Sequence, residues 1–512
     1  MYKLIGLLLF LLPLYLSAQS AIIQTDKGKI RGTTSENGAI YIYKGIPFAG
    51  PPVGDLRWKA PQPAKAWEGI KTCDTFGPSP VQGKPTPFMY WSSEFLIPEE
   101  PISEDCLYLN VWTGANNKTE KRPVLVYIYG GGFRSGGSGC PIYDGEAMAE
   151  KGVVFVSINY RVGVFGFLAH PELTQESSYG ASGNYALLDM IAGLQWVRKN
   201  IAAFGGDPAN VTIAGQSAGA FAVSYLTTSP LAKGLFHRAI AESGGSFVTN
   251  PRRPTPTLAD AEKMGVEFAE KALNCQSLAE MRAKSADEVL QAQGGMSWPI
   301  IDGYAVPESC AAMYQQGKQN DVTLLLGWNA EDLVLFGTQS ADEFKKQARE
   351  RFGDQFAAVS KVYPMGSEKE ILKSRSDMSR DETFAIQGYV WATLQDQHSK
   401  SNVYLYNFNR RLPFYTPETN FGAFHSGEIV YAYHNLHTLD RPWQAVDHQI
   451  ANHMSSYWVN FARTGNPNGK GLPKWKAFKT ARPNTLIIDT ETKTTSLPDL
   501  NRLKFWEQYL SQ

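Results

Sequence analysis

The sequence lacks the features that accompany nucleic-acid, metal or membrane binding. Its 49 basic and 49 acidic residues balance and form no long run of one sign, so no electrostatic surface for nucleic acid or an anionic membrane is indicated. The metal-ligand spacings CxxC and HExxH do not occur. No repeat, low-complexity tract or linker divides the chain after residue 20. These absences predict one globular domain, residues 21–512, that binds neither nucleic acid nor membrane and holds no metal.

The first 20 residues differ from the rest. Lys3 supplies a positive start, residues 4–16 are a short apolar run, and residues 17–20 are small and polar. The apolar run is too short to cross a bilayer. We therefore predict that residues 1–20 are a cleavable signal peptide and that the protein is secreted or periplasmic. The sequence leaves the oligomeric state open between a monomer and a weak dimer.

Continuous apolar runs alternate with helical patterns along the chain. Residues 124–129 and 153–159 are rich in β-branched and aromatic side chains, which is typical of strands buried on both faces. Apolar residues between 187 and 201 recur at helical spacing, and another strand-like run, residues 211–214, follows. Strand, helix and strand in this order predict a parallel sheet with crossover helices. Such sheets bind ligands at the carboxyl ends of their strands.

One such strand ends in the pattern Gly215-x-Ser217-x-Gly219, and a run suited to a helix follows. A serine on a sharp strand-to-helix turn exposes its hydroxyl, and glycines are needed on either side because neighbouring segments crowd the turn. Glycine is common in this chain, so the motif alone is weak evidence. The context strengthens it, because residues 130–132 are three successive glycines directly after a predicted strand. Their unshielded N–H groups suit an oxyanion hole.

A nucleophilic serine needs a histidine base and a carboxylate that orients it. In hydrolases with this turn, the chain order is serine, acid, histidine, which excludes His170. His425 lies downstream, in a glycine-bearing loop. The strand-like run 323–327 is followed closely by Glu331 and Asp332, and spacing alone does not choose between these two acids.

Several segments together resemble the type-B carboxylesterase/lipase family, the cholinesterase-like branch of the α/β-hydrolases. The resemblance covers nearly the whole chain after residue 20, and the segments that carry it are residues 43–48, 51–54, 103–110, 159–163, 165–167, 204–208 and 461–467. It implies an α/β-hydrolase fold with a large, mostly parallel central sheet flanked by helices. Helical and loop insertions would surround an active-site gorge.

The resemblance also implies the site. Ser217 would be the nucleophile and His425 the base, and the N–H groups of Gly131, Gly132 and Ala218 would form the oxyanion hole.

The family places its acid, usually Glu, five residues after a glycine that matches Gly327. This position is Asp332 here, but Glu331 stands beside it in inverted order and Leu333 replaces the usual glycine. Asp332 is therefore favoured by register, and Glu331 remains the alternative. Ser243 would contact the acid and help to hold it in place without taking part in the reaction.

Three further contacts follow from the same resemblance. It implies a disulfide between Cys73 and Cys106, and salt bridges that join Arg57 to Glu104 and Arg161 to Asp189. Cys140, Cys275 and Cys310 would then leave at least one free thiol.

The function implied is that of a secreted serine carboxylesterase that acts on a small-molecule ester without a cofactor. Gln216 stands where cholinesterases carry Glu, which argues against a cationic choline ester. Trp91, Phe165 and Phe424 are candidates to line the pocket. One alternative is a specialised esterase for hydroxycinnamate, acetylated carbohydrate or complex polyester substrates. Another is a non-catalytic cholinesterase-like binding protein.

Overall fold

A sheet of eleven strands runs through the centre of the molecule. The computed structural model describes residues 22–248, 254–332 and 339–510. The predicted signal peptide, residues 1–20, and Leu333 lie outside the described residues. In the described ranges, no helix is both long and apolar enough to cross a membrane.

The strands alternate with helices along most of the chain. The strands are β1 (Ile22–Gln24), β2 (Lys29–Arg31), β3 (Thr33–Thr34), β4 (Tyr41–Pro47), β5 (Ile70–Thr72), β6 (Ser79–Pro80), β7 (Ile102–Ser103), β8 (Tyr108–Thr113), β9 (Arg122–Ile128), β10 (Val154–Ile158), β11 (Gly206–Gln216), β12 (Arg238–Glu242), β13 (Thr323–Asn329), β14 (Val403–Phe408), β15 (Asn484–Ile488) and β16 (Lys493–Ser496).

The helices are α1 (Glu146–Glu150), α2 (Gly163–Phe167), α3 (Pro171–Glu176), α4 (Tyr185–Asn200), α5 (Ala218–Thr228), α6 (Leu258–Glu267), α7 (Leu278–Ala283), α8 (Ala286–Gln291), α9 (Cys310–Gln315), α10 (Ala341–Phe352), α11 (Phe356–Val362), α12 (Glu368–Arg380), α13 (Ile386–His398), α14 (Ile429–Ala432), α15 (Ala445–Thr464) and α16 (Leu500–Leu510). Two π-helical turns, Phe268–Ala272 and Asp381–Ala385, continue α6 and join α12 to α13.

The large sheet has the strand order β16-β15-β14-β13-β12-β11-β9-β10-β8-β4-β3. Six parallel pairings join the seven strands from β15 to β10, and the strands at both edges pair antiparallel. Helices α5, α13 and α15 pack against its strands. A large, mostly parallel sheet flanked by helices was predicted, and it is present.

The burial of β9 shows why the sequence forms this sheet. Every residue from 123 to 128 is buried, as a continuous apolar run requires when both faces of a strand are covered. Helix α4 is buried more completely than an amphipathic pattern predicts. Only Gln195, Arg198 and Lys199 are exposed on it, because it is enclosed by other parts of the molecule.

Both salt bridges predicted from the family resemblance are confirmed. Arg57 Nε lies 2.6 Å from Glu104 Oε1, and Arg161 Nη2 lies 2.7 Å from Asp189 Oδ1. Each arginine makes a two-pronged contact with its carboxylate, the geometry in which buried ion pairs are well satisfied.

The predicted disulfide is absent, and Cys73 and Cys106 are both free thiols. The N–H of Cys73 donates to the Arg31 carbonyl and its carbonyl accepts the N–H of Lys44, while Cys106 lines a small cavity with Val81. Burial raises the pKa of both thiols, so they remain protonated and unreactive. The other three cysteines, Cys140, Cys275 and Cys310, are also free and buried.

Candidate active site

Ser217 occupies a sharp turn between β11 and α5. Its backbone has φ 56° and ψ −125°, a conformation that side chains with a Cβ rarely adopt. The turn is crowded in the way the motif predicts: a Cβ on Gly219 would lie 2.0 Å from the Ile128 carbonyl oxygen, and one on Gly215 would lie 2.5 Å from the Gly219 carbonyl carbon. The crowding holds Ser217, which is partly exposed, at the carboxyl end of its strand.

Three backbone N–H groups on or beside the turn of Ser217 make no hydrogen bond to another described residue. The loop after β9 passes close to it, since a Cβ on Gly130 would lie 3.0 Å from the Cβ of Ser217. Within the described part of the chain, the N–H groups of Gly131, Gly132 and Ala218 donate to no other residue. Unpaired N–H donors close to a serine hydroxyl are what the predicted oxyanion hole requires.

The side chains of His425 and Asp332 are in contact. His425 Nδ1 lies 2.5 Å from Asp332 Oδ1, and both side chains are almost completely buried. The other carboxylate oxygen of Asp332 accepts hydrogen bonds from Ser243 Oγ at 2.6 Å and from the N–H of Asn329 at 3.0 Å. These contacts fix the carboxylate so that it orients the imidazole.

Glu331, the alternative acid, points elsewhere. Its carboxylate pairs with Arg411 at 3.0 Å and accepts the N–H of Ala423 at 2.9 Å. The segment is extended here and forms a β-bridge to Phe424, so adjacent side chains project to opposite sides. The structure therefore brings Asp332, and not Glu331, to His425.

The hydroxyl of Ser217 makes no hydrogen bond to any other described residue. The amide Nε2 of Gln216 instead lies 3.3 Å from Nε2 and 3.4 Å from Nδ1 of His425. Its carbonyl oxygen accepts a hydrogen bond from Ser426 Oγ at 3.3 Å. The side chain before the nucleophile thus packs against the imidazole, and in this chain it carries no charge.

Asn329 and Glu428 join the acid loop to the histidine loop, a role that the sequence analysis did not assign. The amide nitrogen of Asn329 donates to the Phe424 carbonyl at 2.8 Å and to the carboxylate of Glu428. Burial, followed by the nearby Asp332 carboxylate, raises the pKa of Glu428 well above its usual range. Glu428 lies three residues after His425, and that spacing was the one available signal.

A second buried acid, Glu242, lies behind the nucleophile. Its carbonyl accepts the N–H of Ser217 at 2.9 Å, and its carboxylate accepts hydrogen bonds from Trp458 at 2.8 Å and Tyr433 at 3.2 Å. Burial raises the pKa of Glu242 from 4.5 to about 8, and the two hydrogen bonds lower it by less. Glu242 therefore holds a proton at neutral pH in the folded protein.

This proton makes stability depend on pH. The unfolded chain releases it near pH 4.5 and the folded chain near pH 8, so stability falls as pH rises through that window, by up to about 1.4 kcal/mol per pH unit for one group. Glu242→Gln mimics the protonated acid and should remove this dependence. We expect urea unfolding to show the variant gaining stability over wild type between about pH 5 and pH 8. An unchanged difference between the two proteins across that range would contradict the assignment.

The three aromatic residues proposed to line the pocket have different positions. The ring of Trp91 stands perpendicular to the imidazole of His425, with centroids 6.3 Å apart. Phe424 is buried directly before His425 in the chain. Phe165 lies instead 5.9 Å from the guanidinium of Arg57, in a separate cavity.

A second aromatic group is centred on Trp298. Trp298 packs edge-on against Phe133 at 5.0 Å and against Phe221 at 5.1 Å. Phe133 directly follows Gly132, and the N–H of Phe221 donates to the Ser217 carbonyl at 3.0 Å, so this group adjoins Ser217. Trp298 is 38 % exposed and leaves the group open to solvent on one side. Apolar rings thus lie next to His425 and next to the helix that begins after Ser217.

No set of metal ligands accompanies these residues. In residues 22–248, 254–332 and 339–510, no group of three or more His, Cys, Asp or Glu side chains is arranged to hold a metal ion. The carboxylates nearest the serine are engaged with His425, Ser243, Asn329, Trp458 and Tyr433.

Comparison with known proteins identifies the family. The model of the carboxylesterase family matches residues 19–506. Fumonisin B1 esterase of Sphingopyxis macrogoltabida is 34 % identical over 89 % of this chain and 84 % of its own. Para-nitrobenzyl esterase of Bacillus subtilis is 34 % identical over 93 % of this chain and 96 % of its own. A solved structure of a PNB esterase superimposes with a TM-score of 0.79 at 29 % identity, over 95 % of this chain and 99 % of that one. With the α/β-hydrolase fold and the match along nearly its whole length, this chain belongs to the carboxylesterase family, the serine-based carboxylic-ester hydrolases.

Proposed function

We propose that this enzyme is an exported carboxylesterase that cleaves small uncharged esters through an acyl-enzyme on Ser217. The observation that carries the proposal is the bond from Asp332 to His425 beside a strained serine and three free N–H donors. Purified protein of residues 21–512 should hydrolyse p-nitrophenyl acetate and butyrate. Absence of hydrolysis of any ester by the folded protein would support the non-catalytic binding protein instead.

The mechanism follows from the positions of these groups. When an ester enters, Nε2 of His425 exchanges its contact with Gln216 for the serine hydroxyl, because catalytic hydrogen bonds tighten in the substrate complex. Ser217 attacks the carbonyl carbon as His425 takes its proton, and Asp332 stabilises the imidazolium. The oxyanion accepts hydrogen bonds from the three N–H groups, each worth on the order of 3 kcal/mol in the transition state.

Collapse of the tetrahedral intermediate breaks the ester bond. His425 gives its proton to the departing alcohol oxygen, and the acyl group remains on Ser217. Water then attacks the acyl-enzyme with His425 again acting as base, and the carboxylic acid leaves. No step calls for a cofactor.

Export is part of the proposal and is supported by the composition of residues 1–20. Expression of the full chain should yield a shortened protein outside the cytoplasm, with a new amino terminus near residue 21. Amino-terminal sequencing of the exported protein would establish the cleavage position. Retention of Met1 in a cytoplasmic protein would contradict export without affecting the proposed esterase activity.

The charge of the preferred ester is tested by Gln216→Glu. A carboxylate here would stand against the imidazole and attract a cationic alcohol group by about 1–2 kcal/mol, or roughly tenfold. Acetylcholine and its uncharged isostere 3,3-dimethylbutyl acetate separate charge from shape. We expect wild type to favour the uncharged ester and the variant to raise the ratio of kcat/KM for acetylcholine over the isostere.

Gln62→Glu is the matched control, because Gln62 is exposed, its amide donates to the Ala60 carbonyl, and the change adds the same charge without a contact to the imidazole. It should leave the ratio unchanged. Equal ratios in wild type and both variants would show that the residue before the nucleophile does not select substrate charge.

A specialised substrate is the second candidate, and one comparison favours it. A relative at 34 % identity is named for a single compound, fumonisin B1. A panel that adds fumonisin B1, a methyl hydroxycinnamate and an acetylated sugar to simple esters would separate the candidates. A kcat/KM for one of these far above that for p-nitrophenyl butyrate would make this chain a specialised esterase.

A further inference from the structure

The flat face of the His425 imidazole is covered by the ring of Phe384. The two rings are stacked, with centroids 4.7 Å apart and planes inclined by 15°. Phe384 is buried, and it comes from a part of the chain 41 residues before the histidine. Trp91 approaches the same imidazole at right angles. The base is therefore held between aromatic side chains as well as by Asp332.

The stacked ring supplies a restraint that the carboxylate does not. The bond from Asp332 Oδ1 fixes the position of Nδ1, but it leaves the imidazole free to swing about that contact. The reactive atom, Nε2, lies on the far side of the ring and moves most in such a swing. A ring packed face to face fixes the plane of the imidazole. Misplacement of a catalytic group by about 1 Å is enough to cost on the order of a hundredfold in rate.

Phe384 lies on the π-helical turn Asp381–Ala385 that joins α12 to α13. Single π-helical turns occur frequently at functional sites. Arg380, four residues before Phe384, is on the same side of the helix and donates from Nη1 to the carbonyl of Ala330 at 2.9 Å. Ala330 stands two residues before Asp332. One turn of helix thus contacts the loop of the acid and the ring of the base.

A network of buried charged side chains also holds this turn. Arg380 Nε bonds Asp381 Oδ1 at 2.7 Å, and Asp381 also accepts the hydroxyl of Tyr363 at 2.8 Å. Arg502 of α16 bonds Asp377 at 2.5 Å. A buried network whose polar groups are paired with one another is rigid. The π-helical turn is therefore held in place, and so is the ring of Phe384.

We propose that Phe384 is a positioning residue for His425 and that the turn around it sets the base in line with the acid. The inference rests on the proposed role of His425 as the base. The stack also favours the reaction itself, because the imidazolium that forms during catalysis is attracted by the face of an aromatic ring. Phe384 acts on the reaction through its contact with the imidazole.

Phe384→Leu removes the ring while keeping an apolar side chain. We expect kcat for p-nitrophenyl butyrate to fall about tenfold while KM stays within about twofold. The rate constant for inactivation by a fluorophosphonate should fall by the same factor, since that step also needs the base. If the leucine variant does not fold, Phe384→Met can be measured instead, because methionine also lacks a ring and its flexible side chain adapts to the space left.

Phe247→Leu is the matched control. Phe247 is equally buried and stacks on Trp391 at 4.7 Å and 23°, and its ring does not stack on His425. It should lower the thermal midpoint by a similar amount and leave kcat unchanged. A wild-type kcat in both Phe384 variants, or an equal loss of kcat in Phe247→Leu, would overturn the proposal. His425→Ala tests the proposed base separately, because full activity in that variant would contradict the mechanism whatever Phe384 does.

Discussion

Ser217→Ala is expected to lower kcat for p-nitrophenyl butyrate by about six orders of magnitude, because loss of the nucleophile removes the acyl-enzyme route. A residual acceleration over water is expected from the oxyanion donors and substrate binding. Stability should change little, because the Ser217 hydroxyl makes no hydrogen bond to another described residue. The variant should therefore show a wild-type thermal midpoint together with lost turnover, measured on the same preparation.

Ser135→Ala provides the control for this variant. The hydroxyl of Ser135 donates to the Gly131 carbonyl at 3.3 Å and makes no hydrogen bond to His425. We expect its kcat to stay within a few-fold of wild type. Turnover by Ser217→Ala at the wild-type level would place the nucleophile elsewhere.

Asp332→Asn is expected to lower kcat by three to four orders of magnitude, roughly the cost of this change in other serine triads. An amide cannot stabilise the imidazolium, and its NH2 group favours the wrong tautomer of His425. Glu331→Gln should stay within a few-fold of wild type, since an amide oxygen still accepts the N–H of Ala423 and only the pair with Arg411 is lost.

The pair of variants is its own control, because the two residues are adjacent and both changes remove one charge. The measurement is kcat for the same ester at a pH where wild type is fully active. A greater loss in Glu331→Gln than in Asp332→Asn would move the role of the acid to Glu331.

The parallel sheet could be predicted because its signal is local. Residues 124–129 are continuously apolar, and a strand buried on both faces is the simplest way to cover such a run. The turn at Ser217 could be predicted for a similar reason, since glycines two residues before and after a serine are required where backbones approach to near contact. Sheet topology then explains why distant segments meet, because parallel strands carry their following loops to one edge.

Side-chain direction could not be predicted in the same way. Register favoured Asp332 over Glu331, but the two acids are adjacent, and only the extended backbone of this segment sends one to His425 and the other to Arg411. The disulfide predicted between Cys73 and Cys106 is not formed, and both cysteines are free. Two cysteines at given positions in a sequence do not by themselves show that their thiols meet in the geometry a disulfide needs.

Phe384 was missed because no local pattern marks it. It is one buried aromatic on a helical segment, and most such residues only fill the core. Its contact with His425 depends on how α12, α13 and the histidine loop pack together, which are interactions between segments far apart in the chain. Asn329 and Glu428 were missed for the same reason, although both stand within a few residues of proposed catalytic groups.

Labelling with a fluorophosphonate followed by peptide mapping tests whether this serine is activated by its neighbours. If Asp332 and His425 activate Ser217, one adduct should form per chain, on the peptide that contains Ser217, with labelling slowed by p-nitrophenyl butyrate and absent in Ser217→Ala. A folded wild-type protein that forms no adduct, or that forms it on another residue, would show that Ser217 is not the activated nucleophile.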